Sequence, residues 1–100
     1  MAYSEDKIKS DVEAYIQQGG GGHSAWYVGI AKDPRDRLFN GHGVQEKGDW
    51  WIFRQAESSG AARSVESHFV NALGTDGGTG GGLPDSTFVY AYKKTAHTTP

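Results

Sequence analysis

The sequence contains no cysteine and no long run of apolar residues. Without cysteine, a disulfide framework and any metal site built on thiolates are excluded. The apolar stretches fall far short of the roughly 20 residues that a membrane-spanning helix needs. The N-terminal residues are charged and favour a helix, unlike the basic and then apolar start of a secretion signal. These features predict a soluble, cytoplasmic protein without a membrane segment.

Neither sign of charge is in large excess. The sequence has ten lysines and arginines and twelve aspartates and glutamates, which gives a formal net charge of −2. Dedicated nucleic-acid-binding proteins usually carry a net basic surface, because their cations release counterions from the phosphates. The overall charge therefore argues against a nucleic-acid partner, unless a local basic patch provides the contact.

Apolar periodicity and capping residues divide the chain into alternating helices and strands. Ser4 is a suitable N-cap for the first helix, and Asp33 followed by Pro34 is a strong start for the second. Gly41 and Gly74 are placed to end the second and third helices. The predicted elements are helices over residues 4–17, 34–40 and 60–73, and strands over residues 25–31, 50–54 and 86–94.

This α-β-α-β-α-β order predicts one small α/β (α+β) domain over residues 1–100. Three strands form a single small sheet, which we expect to be mainly antiparallel and flanked by helices, with an N-terminal helical region over 1–18. Residues 75–85 are predicted to form a glycine-rich loop, and residues 96–100 a flexible tail. Because the loop lacks the Lys-Ser/Thr ending of a phosphate-binding loop, a flexible connection or lid is favoured over a nucleotide site.

A carboxylate interrupts the apolar stripe of the third predicted helix. Glu66 shares one helix face with Ala62, Phe69 and Leu73. Burying an unpaired charge is costly, so this carboxylate has to be neutral, paired with a cation or bound to a metal ion. A glutamate at the edge of the stripe that reaches solvent or pairs with an arginine, and a glutamate that binds a metal ion, are both open at this point.

A second group of polar residues surrounds the junction between the first strand and the second helix. The strand carries Tyr27, and the first turns of the helix present Arg35 and Arg37. A tyrosine and an arginine there could face one phosphate, with the phenol as acid or base and the guanidinium as a bidentate clamp. The alternatives are a tyrosine buried in the core and arginines paired with Asp33 or Asp36.

These positions resemble the signature of the GIY-YIG nuclease family. Tyr27-Val28-Gly29, followed by Arg37 ten positions after the tyrosine, is similar to the second half of that signature. The family also has a helix with the pattern Ala-x-x-x-Glu-x-x-aromatic, and the helix around Glu66 is similar to it. The resemblance therefore links the tyrosine, the arginine and the glutamate in one predicted site.

The first half of the signature is missing from its usual place, about ten residues before the YIG-like strand. The C-terminal strand, residues 88–94, is similar to the family's first strand and places Tyr90 at its tyrosine position. We therefore infer a circular permutation, which is tolerable when the original chain ends lie close together. Tyr92 lies on the same strand face and is the rival for this position. The resemblance covers residues 25–73 and 87–94.

The resemblance implies a metal-dependent endonuclease that hydrolyses phosphodiester bonds of DNA, in preference to RNA. Glu66 would bind one divalent cation, Mg²⁺ or Mn²⁺. Tyr90 would deprotonate or orient the attacking water. Tyr27 and Arg37 would stabilise charge on the phosphate, and His42 would assist. Substrate binding is assigned to four further residues: Gly29, Lys32, Arg35 and Tyr92.

A module that keeps this fold and binds nucleic acid or protein without catalysis is the alternative. His42 lies five residues after Arg37, whereas the family often has a histidine or tyrosine four residues after its arginine. The glycine-rich loop also offers no clear equivalent of the polar residue that follows the family's glutamate helix. A domain this small has little area for reading a base sequence, so we expect low specificity, or help from a homodimer or a partner protein.

Overall fold

A computed structural model describes residues 2–77 and 85–100. Its regular elements are helix α1 (Glu5–Gly19), strand β1 (Trp26–Ala31), strand β2 (Trp51–Gln55), helix α2 (Ser59–Ser67) and strand β3 (Phe88–Lys93). A 3₁₀ turn (His23–Ala25) precedes β1, and two π-helical segments (Asp36–Gly41 and His68–Leu73) follow β1 and α2. The predicted α+β class and the order of helices and strands are confirmed.

The ends of α1 follow from its capping residues. The Ser4 side chain accepts a hydrogen bond from the Lys7 backbone N–H, as expected of an N-cap. The helix runs two residues beyond the predicted end and stops at Gly20, whose φ of 74° is accessible to glycine at little cost. The Gly20 N–H bonds to the Ile16 carbonyl and so satisfies one of the last carbonyls of the helix.

The three strands form one antiparallel sheet in the order β1-β3-β2. The C-terminal strand β3 therefore lies in the centre and pairs with β1 on one side and β2 on the other. In this register Tyr27 faces Tyr92, and Gly29 faces Tyr90. The permutation hypothesis requires antiparallel pairing of the C-terminal strand with the Tyr27 strand, and this requirement is met.

Strand alternation gives the sheet two different faces. One face is aliphatic and is covered by α1 and α2, which bury Ile8, Val12, Val65 and other apolar residues against it. The other face is aromatic and carries Tyr27, Tyr90 and Tyr92 together with Trp51 and Phe53. The connection between β1 and β2 covers part of this second face by burying Leu38 and Val44 against the tyrosines.

The chain that follows α2 extends the sheet at its β1 edge. Asp76 forms an isolated parallel bridge with Tyr27, in which the Val28 N–H donates to the Asp76 carbonyl at 2.9 Å. The Asp76 N–H donates to the Trp26 carbonyl at 2.8 Å. The start of the predicted glycine-rich loop is therefore fixed beside Tyr27, whereas the predicted lid over residues 78–84 lies outside the described residues.

Within the described part of the chain, no helix combines the length and the apolar character needed to cross a membrane.

Candidate active site

Tyr27 and Tyr90 meet on the aromatic face of the sheet. Their rings are nearly parallel, with centroids 6.1 Å apart, and the two phenols interact electrostatically. Tyr90 reaches this position by lying across Gly29 on the neighbouring strand, where a Cβ atom would be 2.6 Å from the Tyr90 hydroxyl oxygen. Glycine at position 29 is therefore what allows the two phenols to meet.

Replacing Gly29 by alanine should destabilise the protein by about 1–3 kcal/mol, the usual cost of overpacking a core. Tyr90 cannot move aside easily, because it is buried and hydrogen-bonded. Gly60→Ala is the matched control, since its Cβ would meet only the Ser58 hydroxyl at 3.8 Å within α2. Urea unfolding should show that Gly60→Ala is unchanged or more stable. Equal stability of the two variants would argue against the close contact at Gly29.

His42 links the tyrosine pair to the C-terminal segment. Its Nε2 lies 2.7 Å from the Tyr90 hydroxyl, and its Nδ1 lies 2.7 Å from the Thr99 carbonyl oxygen. A carbonyl can only accept, so Nδ1 carries the proton of the neutral imidazole and Nε2 is the acceptor. Tyr90 then donates to His42. The Tyr90 hydroxyl and the imidazole thus form a directed chain of hydrogen bonds from Tyr90 to Thr99.

The position of His42 depends on the π-helical segment that precedes it. The His42 N–H bonds to the Arg37 carbonyl, five residues earlier, at 2.8 Å. A π-turn contains one residue more than an α-turn. Residues five apart in it are therefore one turn apart, as residues four apart are in an α-helix. The spacing of five between Arg37 and His42 is therefore compatible with one shared site.

Burial governs the proton affinities of this cluster. Burial raises the pKa of Tyr27, and the negative charges of Glu66 and Asp76 raise it further, whereas the contact with the Tyr90 hydroxyl and the charge of Arg37 lower it. Burial also raises the pKa of Tyr90 strongly. A free Tyr90 phenolate is thus disfavoured, so a base function for Tyr90 requires that its own proton pass to His42.

Protonation of His42 should reduce the stability of the protein in mild acid. Burial lowers the pKa of His42 from its ordinary value of 6.5, an effect that exceeds the opposing hydrogen bond to Thr99. Below pH 6.5 the unfolded chain binds a proton that the folded protein resists, so stability falls with pH by up to about 1.4 kcal/mol per pH unit. Urea unfolding at pH 7.5, 6.5 and 5.5 should show a steeper loss for the wild type than for His42→Gln. Parallel curves for the two proteins would contradict this expectation.

Arg37 supplies positive charge to the tyrosine pair. Its side chain is exposed and forms no salt bridge within residues 2–77 and 85–100, so the predicted alternative of pairing with Asp33 or Asp36 is not adopted. Asp33 instead caps the following turn by accepting from the Asp36 N–H at 3.1 Å. Arg37 acts electrostatically on Tyr27, Tyr90 and His42. It is therefore available to bind an anion beside the phenols.

Glu66 is carried by α2, which covers the aliphatic face of the sheet. Its Oε2 is buried without a hydrogen-bond partner in the described part of the chain. Burial raises the pKa of this carboxyl, and the charge of Arg63 lowers it only in part. The charge of Glu66 acts on Tyr27. A metal ion is one partner that would satisfy this oxygen, since a buried polar atom without a partner costs free energy.

The donor set around Glu66 suits a hard cation that keeps most of its water. No group of three or more histidine, aspartate or glutamate side chains arranged for a metal occurs among residues 2–77 and 85–100. Mg²⁺ commonly binds through one or two carboxylates plus waters and substrate phosphate, whereas a zinc site needs several protein ligands. A single buried carboxylate oxygen is therefore compatible with Mg²⁺ or Mn²⁺.

Two of the predicted substrate-binding residues lie at the surface. Lys32 and Arg35 line a groove of about 630 Å³ whose walls include Phe53 and Phe88. Lys32 pairs with Asp85, and Arg35 pairs with Glu46 at 2.9 Å. Exposed pairs of this kind contribute little energy, so a phosphate could exchange with either carboxylate.

The other two predicted substrate-binding residues, Gly29 and Tyr92, are buried and offer no surface to a substrate in this structure. Gly29 lies beneath Tyr90, and the Tyr92 hydroxyl donates to the Thr99 carbonyl at 3.3 Å. Both residues therefore position other groups. Sequence patterns gave no indication of Thr99, because it acts through its backbone carbonyl. The segment predicted to be a flexible tail makes these hydrogen bonds.

Comparison with known protein families, with curated proteins and with solved structures found no match to this chain.

Proposed function

We propose that this chain is a metal-dependent endonuclease with a circularly permuted GIY-YIG-like site, which hydrolyses phosphodiester bonds of DNA in preference to RNA. The observation that supports this best is the environment of Tyr27. This phenol interacts with Tyr90, and the charges of Arg37 and Glu66 act on it. Side chains from three other segments thus influence the proton affinity of Tyr27.

Glu66 is the residue that would hold the metal ion, through its unpartnered Oε2. When bound, Mg²⁺ or Mn²⁺ supplies Lewis-acid stabilisation of the negative charge that develops on the phosphate. Binding of a cation would also remove the cost of a buried, unpaired carboxylate. The affinity of the folded protein for the cation and the stability of the protein are therefore coupled.

His42 is the proton acceptor of the site in this proposal. Tyr27 is 6% exposed and Tyr90 only 1%, so an attacking water meets Tyr27 first. The water gives its proton to the Tyr27 oxygen, Tyr27 passes its own proton to Tyr90, and Tyr90 passes its proton to His42 Nε2. The water oxygen forms a bond to phosphorus as the bond to the leaving sugar oxygen breaks, and the leaving oxygen takes up a proton from bulk water. The resemblance alone implies that Tyr90 contacts the attacking water. In this proposal Tyr90 is instead a relay between Tyr27 and His42.

Arg37 would bind the phosphate beside this chain of proton donors. A guanidinium can hold two phosphate oxygens at once, which orients the phosphorus and offsets its added negative charge. Because Arg37 is exposed and forms no ion pair in the described part of the chain, it need not break an existing interaction to do so. The groove beside Lys32 and Arg35 would accept the neighbouring part of the strand.

The test is a cleavage assay on end-labelled single-stranded, duplex and branched DNA, and on RNA, with Mg²⁺, Mn²⁺ or a chelator. We expect cutting of at least one DNA with metal and none with chelator. Arg37→Ala should cut about 100-fold more slowly, the usual effect of removing one group that stabilises transition-state charge. Lys9→Ala is the control, since Lys9 lies on α1 behind the opposite face of the sheet and should not affect cutting.

Two results would contradict the proposal. Equal rates for Arg37→Ala and Lys9→Ala would remove Arg37 from the site. Absence of cutting on every substrate, with nucleic-acid binding retained, would instead favour a binding module without catalysis.

A further inference from the structure

The last residues of the chain are attached to the candidate site at several points. The Thr99 N–H donates to the His42 carbonyl at 2.8 Å, and the Thr99 carbonyl accepts from the His42 ring at 2.7 Å. The side chain of His97 contacts Asp49 at 2.6 Å, and Thr95 and Thr98 close a turn between these contacts. The segment 95–100 is thus held at two places, by His42 and by Asp49.

We infer that the segment 95–100 is a working part of the site and that the backbone carbonyl of Thr99 is a positioning group, which fixes the tautomer of His42. The catalytic consequence rests on the proposed function, whereas the tautomer itself does not. Among residues 2–77 and 85–100, no other group hydrogen-bonded to Nδ1 has the same effect. The Tyr92 hydroxyl, 3.1 Å from Nδ1, can either donate or accept and so would tolerate both tautomers.

The fixed tautomer matters because it decides the direction of the hydrogen bond to Tyr90. With the proton on Nδ1, the lone pair of Nε2 points at the Tyr90 hydroxyl, 2.7 Å away, and can take its proton. With the proton on Nε2, His42 would donate to Tyr90 and could not accept from it. The same logic holds in hydrolases where a third group orients a catalytic histidine, and loss of that group leaves the wrong tautomer.

The geometry of the segment supports an orienting role over simple attachment. His42 is buried, so water cannot replace the Thr99 carbonyl without opening the site. Asp49, which holds His97, is itself nearly buried and also accepts from the Gln45 N–H at 2.8 Å. The attachment point of the segment is therefore part of the connection that carries Arg37 and His42.

The test is the nitrogen spectrum of His42, recorded by long-range ¹H–¹⁵N correlation above pH 7 and assigned with His42→Gln. In the intact chain we expect the Nδ1–H form. Deleting residues 98–100 should shift His42 toward the Nε2–H form that free histidine prefers, and should lower kcat for cleavage by about 10-fold with little change in KM. Deleting Pro100 alone is the matched control, because the resulting Thr99 carboxylate is still only an acceptor and should keep the Nδ1–H form.

An Nε2–H form in the intact chain would overturn the inference directly, and so would an unchanged Nδ1–H form after deletion of 98–100. If the shortened chain does not fold, as judged by circular dichroism, His97→Ala takes its place, since it frees the segment from Asp49 and should also weaken the Nδ1–H preference. Because the spectrum does not depend on cleavage, an inactive protein with the expected tautomer would contradict the proposed function and leave the role of Thr99 standing.

Discussion

Replacing Glu66 by glutamine should make the protein more stable and, at the same time, abolish its metal-dependent cleavage. In the folded protein, burial raises the pKa of this carboxyl and so disfavours the charged form that the unfolded chain carries at neutral pH. Glutamine has the same shape without the charge, so urea unfolding at pH 7 should show a gain of about 1 kcal/mol. Under the proposed function, in which Glu66 holds the metal ion, cleavage with Mg²⁺ should fall by about 1,000-fold.

The pH dependence of this gain is a further check on its cause. Below pH 4.5 the carboxyl of Glu66 is protonated in both the folded and the unfolded protein, so the advantage of glutamine should disappear there. Glu57→Gln is the control, since Glu57 is exposed at the start of the connection to α2 and should change neither stability nor cleavage. A loss of stability in Glu66→Gln, or full activity with Mg²⁺, would contradict the metal-ligand assignment.

Removing the hydroxyl of Tyr90 should stop catalysis almost completely. Tyr90→Phe interrupts the proton path between Tyr27 and His42, and positioned acids and bases of this kind contribute about 10²–10⁴-fold to rate. The same change leaves His42 Nε2 without its partner at 2.7 Å, so stability should fall by about 1–3 kcal/mol. Initial rates under saturating DNA and urea unfolding measure the two effects separately.

Tyr92→Phe separates the two rival tyrosines of β3. The Tyr92 hydroxyl contacts only the Nδ1 side of His42 and the Thr99 carbonyl, so its removal should slow cleavage by no more than about 10-fold. Tyr3→Phe controls for loss of a phenol outside the site and should leave the rate unchanged. A larger loss of rate in Tyr92→Phe than in Tyr90→Phe would exchange the roles of the two residues and remove the proposed path.

The sequence predicts the elements of this fold well, because their signals are local. Ser4 and Gly20 bound α1 through contacts made within one turn, and the β-branched and aromatic runs give all three strands. The regions that depart from prediction are the two π-helical segments. An extra residue in a turn costs little locally and is selected by packing elsewhere, so residue patterns do not reveal it. One such segment brings His42 into line with Arg37.

Some residues of the candidate site can also be predicted from sequence and others cannot. Tyr27, Arg37 and Glu66 are predicted because each combines an unusual residue type with a regular spacing. The order of proton donors is not found, because it depends on which atoms are buried and which face each other after folding. Tyr90 follows from the register of β3 on β1, and Gly29 follows from the close approach of the Tyr90 ring. Thr99 contributes a backbone carbonyl, which every residue has, so no residue type could indicate it.

For this protein, the sequence alone determined the alternating helices and strands, the single small sheet and the conspicuous carboxylate at position 66. These depend on hydrophobic periodicity and capping, which act over a few residues. Only the tertiary structure decided that β3 lies in the centre of the sheet and that the C-terminal segment hydrogen-bonds to His42. It also decided that Arg37 and Glu66, which carry opposite charges, shift the pKa of Tyr27 in opposite directions. Those relations join residues up to 67 positions apart, as Trp26 and Lys93 are, and the directions of their hydrogen bonds are set by burial, which no short stretch of sequence encodes.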